Sequence, residues 1–335
     1  MATERAELPS VVTAEPIIET TRLTRHFRIG GLLSRRFLHA VDDFDLVIRP
    51  NEIVALVGES GSGKSTVARL LARTYKPTRG EIVYHGRPLS GMTSRKQRLA
   101  YASRVPMVFQ DPYGSLSPVY RVSHGVMRAL KLHRPELAPS DREQEAERIL
   151  KSVGLQPPRE FLNKYPHQLS GGQRQRIGFA QALACRPELI LADEPVSMLD
   201  VSVRIGVLNL MADLRRNERI SFLYITHDIA SARYVADRII VMYAGRIAES
   251  GPVEDVLANP KHPYTQLLLS AVPDPRAPIS LPATSDVAEP PRVIDPGEGC
   301  RFRYRCPYAI ERCTVETPLL RPLRPAHETA CHVAT

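Results

Sequence analysis

The stretch "GESGSGKST", Gly58 to Thr66, fits G-x-x-x-x-G-K-[ST]. In such a loop the backbone N–H groups of Gly61 to Thr66 wrap the β- and γ-phosphates of a nucleotide at a helix N-terminus. Lys64 reaches the γ-phosphate as a point charge and Ser65 ligates Mg²⁺. Asp193, in "ELILADE", sits at the end of an apolar strand and is suited to hold Mg²⁺ through water. The adjacent Glu194 points the other way on a strand and acts on the attacking water. His227 ends "SFLYITH", where an imidazole can report the γ-phosphate, and Gln110 ends "VPMVFQ", where a neutral amide can bind Mg²⁺ or the water. Taken singly, an acidic pair after a strand is a helix cap and a strand-end histidine is structural; it is their company that carries the chemistry.

A second glycine turn, "LSGGQRQR" from Leu169 to Arg176, precedes a helical pattern. Ser170, Gly171 and Gly172 offer a hydroxyl and bare N–H groups at a positive helix end, a second anion site. An intervening insert keeps Ser170 from a γ-phosphate held by Lys64 of the same chain, so a second chain must supply the closing half. A plain N-cap accounts for Ser170 and its glycines but gives Gln173 and the "RQR" sequel no reason.

The elements that must position these residues read as follows. From Ile17 to Ile53 the chain is β-rich and ends in the apolar strand "EIVALVGE", which runs into the first glycine loop and a helix from Lys64 to about Arg73. Further buried strands are expected at 105–110, 188–194, 221–227 and 238–245, with helices between the later ones, which makes an α/β fold with a parallel sheet covered on both faces. Between Gln110 and Leu169 the strands stop. There "SDREQEAERILKSVG" predicts a helix with a Ser140–Glu143 capping box, an apolar face of Ala146, Ile149, Leu150 and Val153, and Gly154 as its stop. Residues 1–15 read as a loose N-terminus, 16–273 as the main domain with a helical subdomain at about 111–170, 274–296 as a Pro-rich linker, and 297–335 as a small Cys-rich extension.

Composition bounds the class. The 335 residues are 43% hydrophobic and 24% charged, an ordinary globular balance. The 45 Lys+Arg against 36 Asp+Glu give +9, yet no basic run dominates, which argues against a nucleic-acid partner. Apolar runs are far shorter than the roughly 18 to 20 residues of a membrane helix, and "MATERAELPS" has no apolar signal core. Of five cysteines, Cys300, Cys306, Cys313 and Cys331 cluster at the end as Cys-x5-Cys-x6-Cys-x17-Cys. In a reducing cytosol four thiolates in a Pro-broken segment suggest a metal staple, either Zn²⁺ or a [4Fe-4S] cluster; small buried residues are the plain alternative.

In this order and at these spacings, "GESGSGKST", Gln110, "LSGGQRQR", "LILADE", "SMLD" and His227 resemble the nucleotide-binding subunit of ATP-binding cassette (ABC) transporters, from about Ile17 to Pro273. The resemblance implies a P-loop ABC-type domain and a head-to-tail dimer in which the Walker A loop of one chain and the signature turn of the other sandwich each ATP. Gly58, Glu59, Ser60, Gly61, Ser62, Gly63, Lys64, Ser65 and Thr66 then bind ATP; Ser65, Gln110 and Asp193 organise Mg²⁺; Glu194 is the general base; His227 is the switch histidine. Ser170, Gly171, Gly172 and Gln173 serve the opposing chain's nucleotide, and Asp200 of the D-loop crosses the interface. Phe27 in "LTRHF" is similar to the aromatic position that stacks on adenine, with a packed core Phe as the alternative.

"VFQDPYGSLSP", "YPHQLSGGQRQR", "DEPVSMLDVSVR" and "NPKHPYTQLLLSAVPDP" resemble the oligopeptide/dipeptide importers, in which "YGSL" lies where the cassette meets its membrane partner. "SMLD" and "THDIASARYVADR" look instead like relatives that carry oligosaccharides, so the cargo stands between the two. The implied partners are a second ATPase subunit, two integral permeases and an extracytoplasmic solute-binding protein, at the cytoplasmic face of the membrane. Similar tails in this family are associated with an iron–sulfur cluster. A soluble cassette ATPase acting on DNA or ribosomes would carry two cassettes, coiled-coil arms or zinc insertions, and none is visible.

Overall fold

The computed structural model describes residues 15–30, 35–111, 114, 116–271 and 293–335. Two sheets meet in it. The smaller is antiparallel, in the order β2 (Arg36–Ile48), β1 (Ile18–Ile29), β4 (Arg79–Tyr84), β5 (Arg87–Pro88). The larger joins β9 (Arg238–Tyr243), β3 (Ile53–Val57), β8 (Ser221–Thr226), β7 (Leu189–Asp193) and β6 (Met107–Val108) side by side in parallel. On its β9 edge it continues antiparallel through β10 (Arg246–Pro252), β12 (His327–Thr329) and β11 (Arg321–Arg324).

β3, β7 and β8 are buried at every residue, as continuous apolar runs demand when both sheet faces are covered. The expected strand at 105–110 shrinks to two residues, because β6 is the last strand of its sheet and pairs on one side only. Helix α1 (Lys64–Leu71) follows β3 on one face, and α2 (Arg95–Arg104) leads into β6.

The insert is helical, as its composition suggested: α3 (Val122–His133), α4 (Pro139–Ser152) and α5 (Pro158–Asn163). Ala146, Ile149, Leu150 and Val153 are fully buried against Val126 and Leu130. Gly154 takes φ +75° and ends α4 with a bond from its N–H to the Lys151 carbonyl at 3.0 Å. The Ser140–Glu143 capping box does not form. α4 begins earlier, with Pro139 at its first position, where a missing N–H costs nothing; Ser140 is already inside and bonds Asp141. The chain then runs through α6 (Gly171–Leu183), α7 (Val201–Glu218), α8 (Ile229–Val235), α9 (Val253–Ala258) and α10 (Pro263–Ser270).

The tail is built into this frame. β12 pairs with β10, and residues 293–295, expected to close a linker, lie against β2 through a Leu38–Ile294 bridge. Beside that bridge the His39 N–H donates to the Val293 carbonyl at 2.8 Å and the Asp295 N–H to the Phe37 carbonyl at 3.0 Å. Residues 272–292, which hold most of the expected 274–296 linker, lie outside the described residues, as do 1–14. A short helix, α11 (Arg312–Val315), carries Cys313.

One charged node fastens tail to cassette. Arg301 bonds the Asp42 carboxylate and the Ala244 carbonyl, and Asp42 also accepts from His26 and, at 2.9 Å, meets His39 Nδ1. Burial opposes ionisation of Asp42, but the bonds to His26, Arg301 and His39 and the Arg301 charge outweigh it and hold the carboxyl well below its usual range. His26, His39 and Asp42 converge as metal ligands would, yet the Arg301 guanidinium already neutralises that carboxylate.

Asp42→Asn should therefore leave Arg301 buried without its counter-charge and lower stability by about 3 kcal/mol, read as a reduced urea midpoint. Because the folded pKa is depressed, the wild-type advantage should hold from neutral pH down to about pH 4 and fade only below it.

Candidate active site

The buried strand β3 delivers the chain into Gly58, and the loop that follows threads between β2 and β9. A Cβ on Gly58 would stand 2.1 Å from the Met242 carbonyl oxygen, and one on Gly63 would stand 2.2 Å from that of Ala40. Gly63 also takes φ +108°, which side chains rarely allow. The glycines are thus set by passage between strands. α1 starts directly after Gly63 with no side-chain cap and no acid in its first turn; the Thr66 and Val67 N–H groups turn back to the Gly63 carbonyl at 3.0 and 3.1 Å, which leaves those of Lys64 and Ser65 to meet an anion.

Lys64 is buried, its ammonium donating to the carbonyls of Gly58 at 2.7 Å and Glu59 at 2.9 Å. Burial pulls its pKa below the usual lysine value, while the carboxylates of Glu194, Asp193 and Glu59 pull it back up. The Ser65 hydroxyl donates to Asp193 at 2.9 Å. Asp193 is buried; desolvation raises its pKa against the Ser65 bond, and the Glu194 charge adds to the rise.

Glu194 does not reach its place by strand alternation. β7 ends at Asp193, and Glu194 turns left-handed at φ +45° while its N–H still donates to the Ile225 carbonyl at 2.9 Å. Strained backbone of this kind is concentrated at functional positions. The turn brings Glu194 Oε2 within 3.0 Å of Gln110 Nε2, which donates to it, and 3.3 Å of His227 Nδ1. The four strand ends after β3, β6, β7 and β8 therefore meet at one cavity of about 880 Å³. Glu59 to Thr66, Gln110, Glu194 and His227 line it, and Phe27 borders it from β1.

The second glycine turn lies elsewhere. Ser170 caps α6, its Oγ accepting from the Gln173 N–H at 3.3 Å and the Gln173 side-chain oxygen accepting from the Ser170 N–H at 3.0 Å. Gln173 thus has an intrachain reason after all, and so do the arginines: Arg174 donates to the Pro166 carbonyl, and Arg176 to the Val153 and Gly206 carbonyls. Ser170 is exposed, Gly172 packs against Val203, and none of residues 170–173 lines the cavity. Asp200 is exposed at the N-cap of α7.

The four terminal cysteines are near enough to influence one another. Burial raises the Cys300 thiol to about 11, and the thiols of Cys313, Cys331 and Cys306 push it the same way. The Cys300 N–H donates to the Cys313 carbonyl at 2.8 Å.

Residues 41–197 match the ABC transporter family, and residues 248–313 match the oligopeptide/dipeptide transporter C-terminal region. The putative oligopeptide transport ATP-binding protein YkfD of Bacillus subtilis is 40% identical, over 95% of this chain and 95% of its own. The oligopeptide transport ATP-binding protein AppF of the same organism is 40% identical, over 95% and 98%. The chain belongs to the ATP-binding subunits of the ABC transporters, in their oligopeptide/dipeptide branch.

Solved ABC cassettes share its fold. The dimeric structure of MJ0796, a bacterial ABC transporter cassette, has TM-score 0.63 at 29% identity, over 70% of this chain and 98% of that one. CbiO1 from Clostridium perfringens has TM-score 0.63 at 25% identity, over 73% and 92%.

Within this ABC subunit, two residues at the phosphate loop escaped the motif reading. The Glu59 N–H donates to the Tyr264 hydroxyl at 2.8 Å, and the Glu59 carboxylate takes both ends of the Arg305 guanidinium, at 2.8 and 2.9 Å. Tyr264 lies in the quoted "NPKHPYTQ" stretch, but nothing local to Arg305 marks it as a partner for a residue 246 positions away.

Gly63→Ala should force the left-handed loop onto the Ala40 carbonyl, costing at least about 2 kcal/mol and abolishing ATP binding. A lowered melting temperature together with loss of nucleotide-induced stabilisation is the expected readout.

Proposed function

We propose that this chain is the ATP-hydrolysing subunit of a membrane importer for oligopeptides or dipeptides. The observation that carries it is the convergence of Lys64, the Ser65–Asp193 pair and the Glu194–Gln110–His227 cluster on one cavity. Lys64 and the leading N–H groups of α1 hold the polyphosphate. Ser65 and Asp193, already paired at 2.9 Å, would hold Mg²⁺ with Gln110 at its margin, and the ion would supply neutralising charge to the phosphates.

Glu194 accepts the proton of the water that attacks the γ-phosphorus. As the new P–O bond forms, the bond to the β–γ bridging oxygen breaks and ADP leaves. His227, beside Glu194 and exposed on its other side, contacts the γ-phosphate and registers its presence. Phe27 offers its ring to the adenine. The rate enhancement comes from positioning and electrostatics.

The site closes from a second chain. Ser170, Gly171, Gly172 and Gln173 stand outside the cavity, with Ser170 exposed and Gly171 and Gln173 partly so, as a surface offered in trans must be, and Asp200 is exposed for the same crossing. The partner is a second cassette subunit, in a dimer like that of the MJ0796 cassette. No helix among the described residues is long and apolar enough to cross a membrane. The peptide-transport relatives support two permease subunits for the passage and a solute-binding protein for the cargo. Phe109 beside Gln110, and Val119 and Tyr120 ahead of α3, are exposed apolar residues suited to the permease contact at the cytoplasmic face. The "YGSL" stretch, apart from Gly114 and Leu116, lies outside the described residues. The relatives are named for peptides, which favours that cargo over oligosaccharides.

Cys300, Cys306, Cys313 and Cys331 hold a [4Fe-4S] cluster in this reading. Among the described residues, no three of their sulfurs come within 4.8 Å of one another. A single Zn²⁺ with Zn–S of about 2.3 Å would draw the sulfurs closer than that, and a cluster needs them wider.

Glu194→Gln should keep ATP binding, trap the closed dimer and lower phosphate release by about 10²- to 10⁴-fold. Normal turnover would remove Glu194 from its role. Lys64→Ala should weaken ATP binding about tenfold or more in equilibrium titration. Full activity of a monomer whose Ser170 has been replaced would sink the two-chain sandwich. For the tail, anaerobically purified protein should contain iron and acid-labile sulfide; zinc alone would refute the cluster.

A further inference from the structure

The cavity wall opposite the phosphate loop is wider than one aromatic residue. Phe27 on β1 pairs directly with Leu38 on β2, and Leu38 in turn pairs with Ile294 of the tail. Residues directly opposite across neighbouring strands share a sheet face, so these three side chains form one lateral row. All three are half-buried and all three line the nucleotide cavity. Ile29, two residues on from Phe27, extends the row on the same face and lines the same cavity.

We infer that the C-terminal tail supplies part of the nucleobase platform in cis: Ile294, beside Leu38 and Phe27, packs against the adenine of ATP. This rests on the reading of the cavity as an ATP site and goes beyond it.

Two features favour a ligand-facing role over simple packing. Val293 also reaches the cavity but belongs to the apolar core, whereas Ile294, like Phe27 and Leu38, is only partly covered there, as a residue awaiting an apolar partner is. One face of the Phe27 ring is also occupied, with the Arg25 guanidinium 4.6 Å from its centroid and Tyr75 against its edge. A purine is left one face of Phe27 and needs further apolar surface beside it; a row spanning β1, β2 and the bridged tail segment, each about 4.8 Å from the next, provides it. The backbone bonds at His39 and Asp295 fix Ile294 in register, and the Arg305–Glu59 fork ties the same tail to the phosphate loop. Base and phosphate surfaces are thereby held at one spacing.

The test compares a nucleotide with the same charge lacking a base. Calorimetric titration of the full chain with ATP and with inorganic tripolyphosphate is done for wild type, Ile294→Ser and Ile294→Leu. Ile294→Ser should raise the ATP Kd roughly five- to tenfold while tripolyphosphate binds as to wild type, which also certifies the fold; Ile294→Leu should restore ATP affinity. Unchanged ATP affinity in Ile294→Ser overturns the inference, and so does an equal loss for both ligands, which would make Ile294 a support of the phosphate loop. Failure of the wild type to bind ATP at all would instead sink the ATP-site reading.

Discussion

Everything at the site hangs on a backbone threaded where no side chain fits. Between Gly58 and Gly63 the loop passes the Met242 carbonyl of β9 and the Ala40 carbonyl of β2 at distances that exclude a Cβ. The two sheets therefore pinch the loop from both sides, and its shape follows from where they meet. β3 aims it, the start of α1 receives it, and the buried ammonium of Lys64 ties its carbonyls together from within. A loop so constrained meets a polyphosphate with its N–H groups already placed, so little ordering cost remains for binding.

The tail belongs to this arrangement rather than following it. β10 would otherwise be the exposed edge of the large sheet; β12 and β11 cover it. Buried Glu249 of β10 bonds His327 of β12 at 2.7 Å and accepts the N–H groups of Lys261 and His262 at 2.7 and 3.0 Å, so strand, turn and tail share one buried polar network. Arg301 and Arg305, both within the loop between Cys300 and Cys306, reach Asp42 and Glu59 on the cassette. The spacing of those two cysteines is thus set by the same residues that grip the nucleotide domain.

What the sequence made legible was whatever is local in the chain. The phosphate loop, the acidic pair at the end of β7, the histidine after β8 and the apolar face of α4 are each encoded within about a dozen contiguous residues, and type and spacing suffice for them. Position was less readable. The left-handed turn at Glu194 overrode simple strand alternation, because the sheet ends one residue earlier. Pro139 started α4 ahead of the serine that looked like its cap. Gln173 looked like a residue with no intrachain purpose until its own helix start claimed it. Contacts distant in sequence stayed invisible: a single Arg305 or Ile294 carries no pattern, and only the folded sheet shows that one faces Glu59 and the other Leu38.

Charge accounts for why a tail arginine is needed at all. A carboxylate at Glu59, the second position of a loop that holds polyphosphate, opposes its ligand. It would also compete with Asp193 and Glu194 for the influence of Lys64, since all three act on that ammonium. The Arg305 fork satisfies both oxygens of Glu59 with the guanidinium almost wholly buried, and in that setting the pair is screened far less than a surface pair. With Glu59 neutralised, the field of Lys64 and of the α1 N-terminus is left to an incoming anion and to the carboxylates of Asp193 and Glu194. Tyr264 completes the arrangement by accepting the Glu59 N–H, turning that donor away from the cavity. The acidic loop position thus serves as an anchor for the tail, and the anion site keeps its positive balance only because that anchor is engaged.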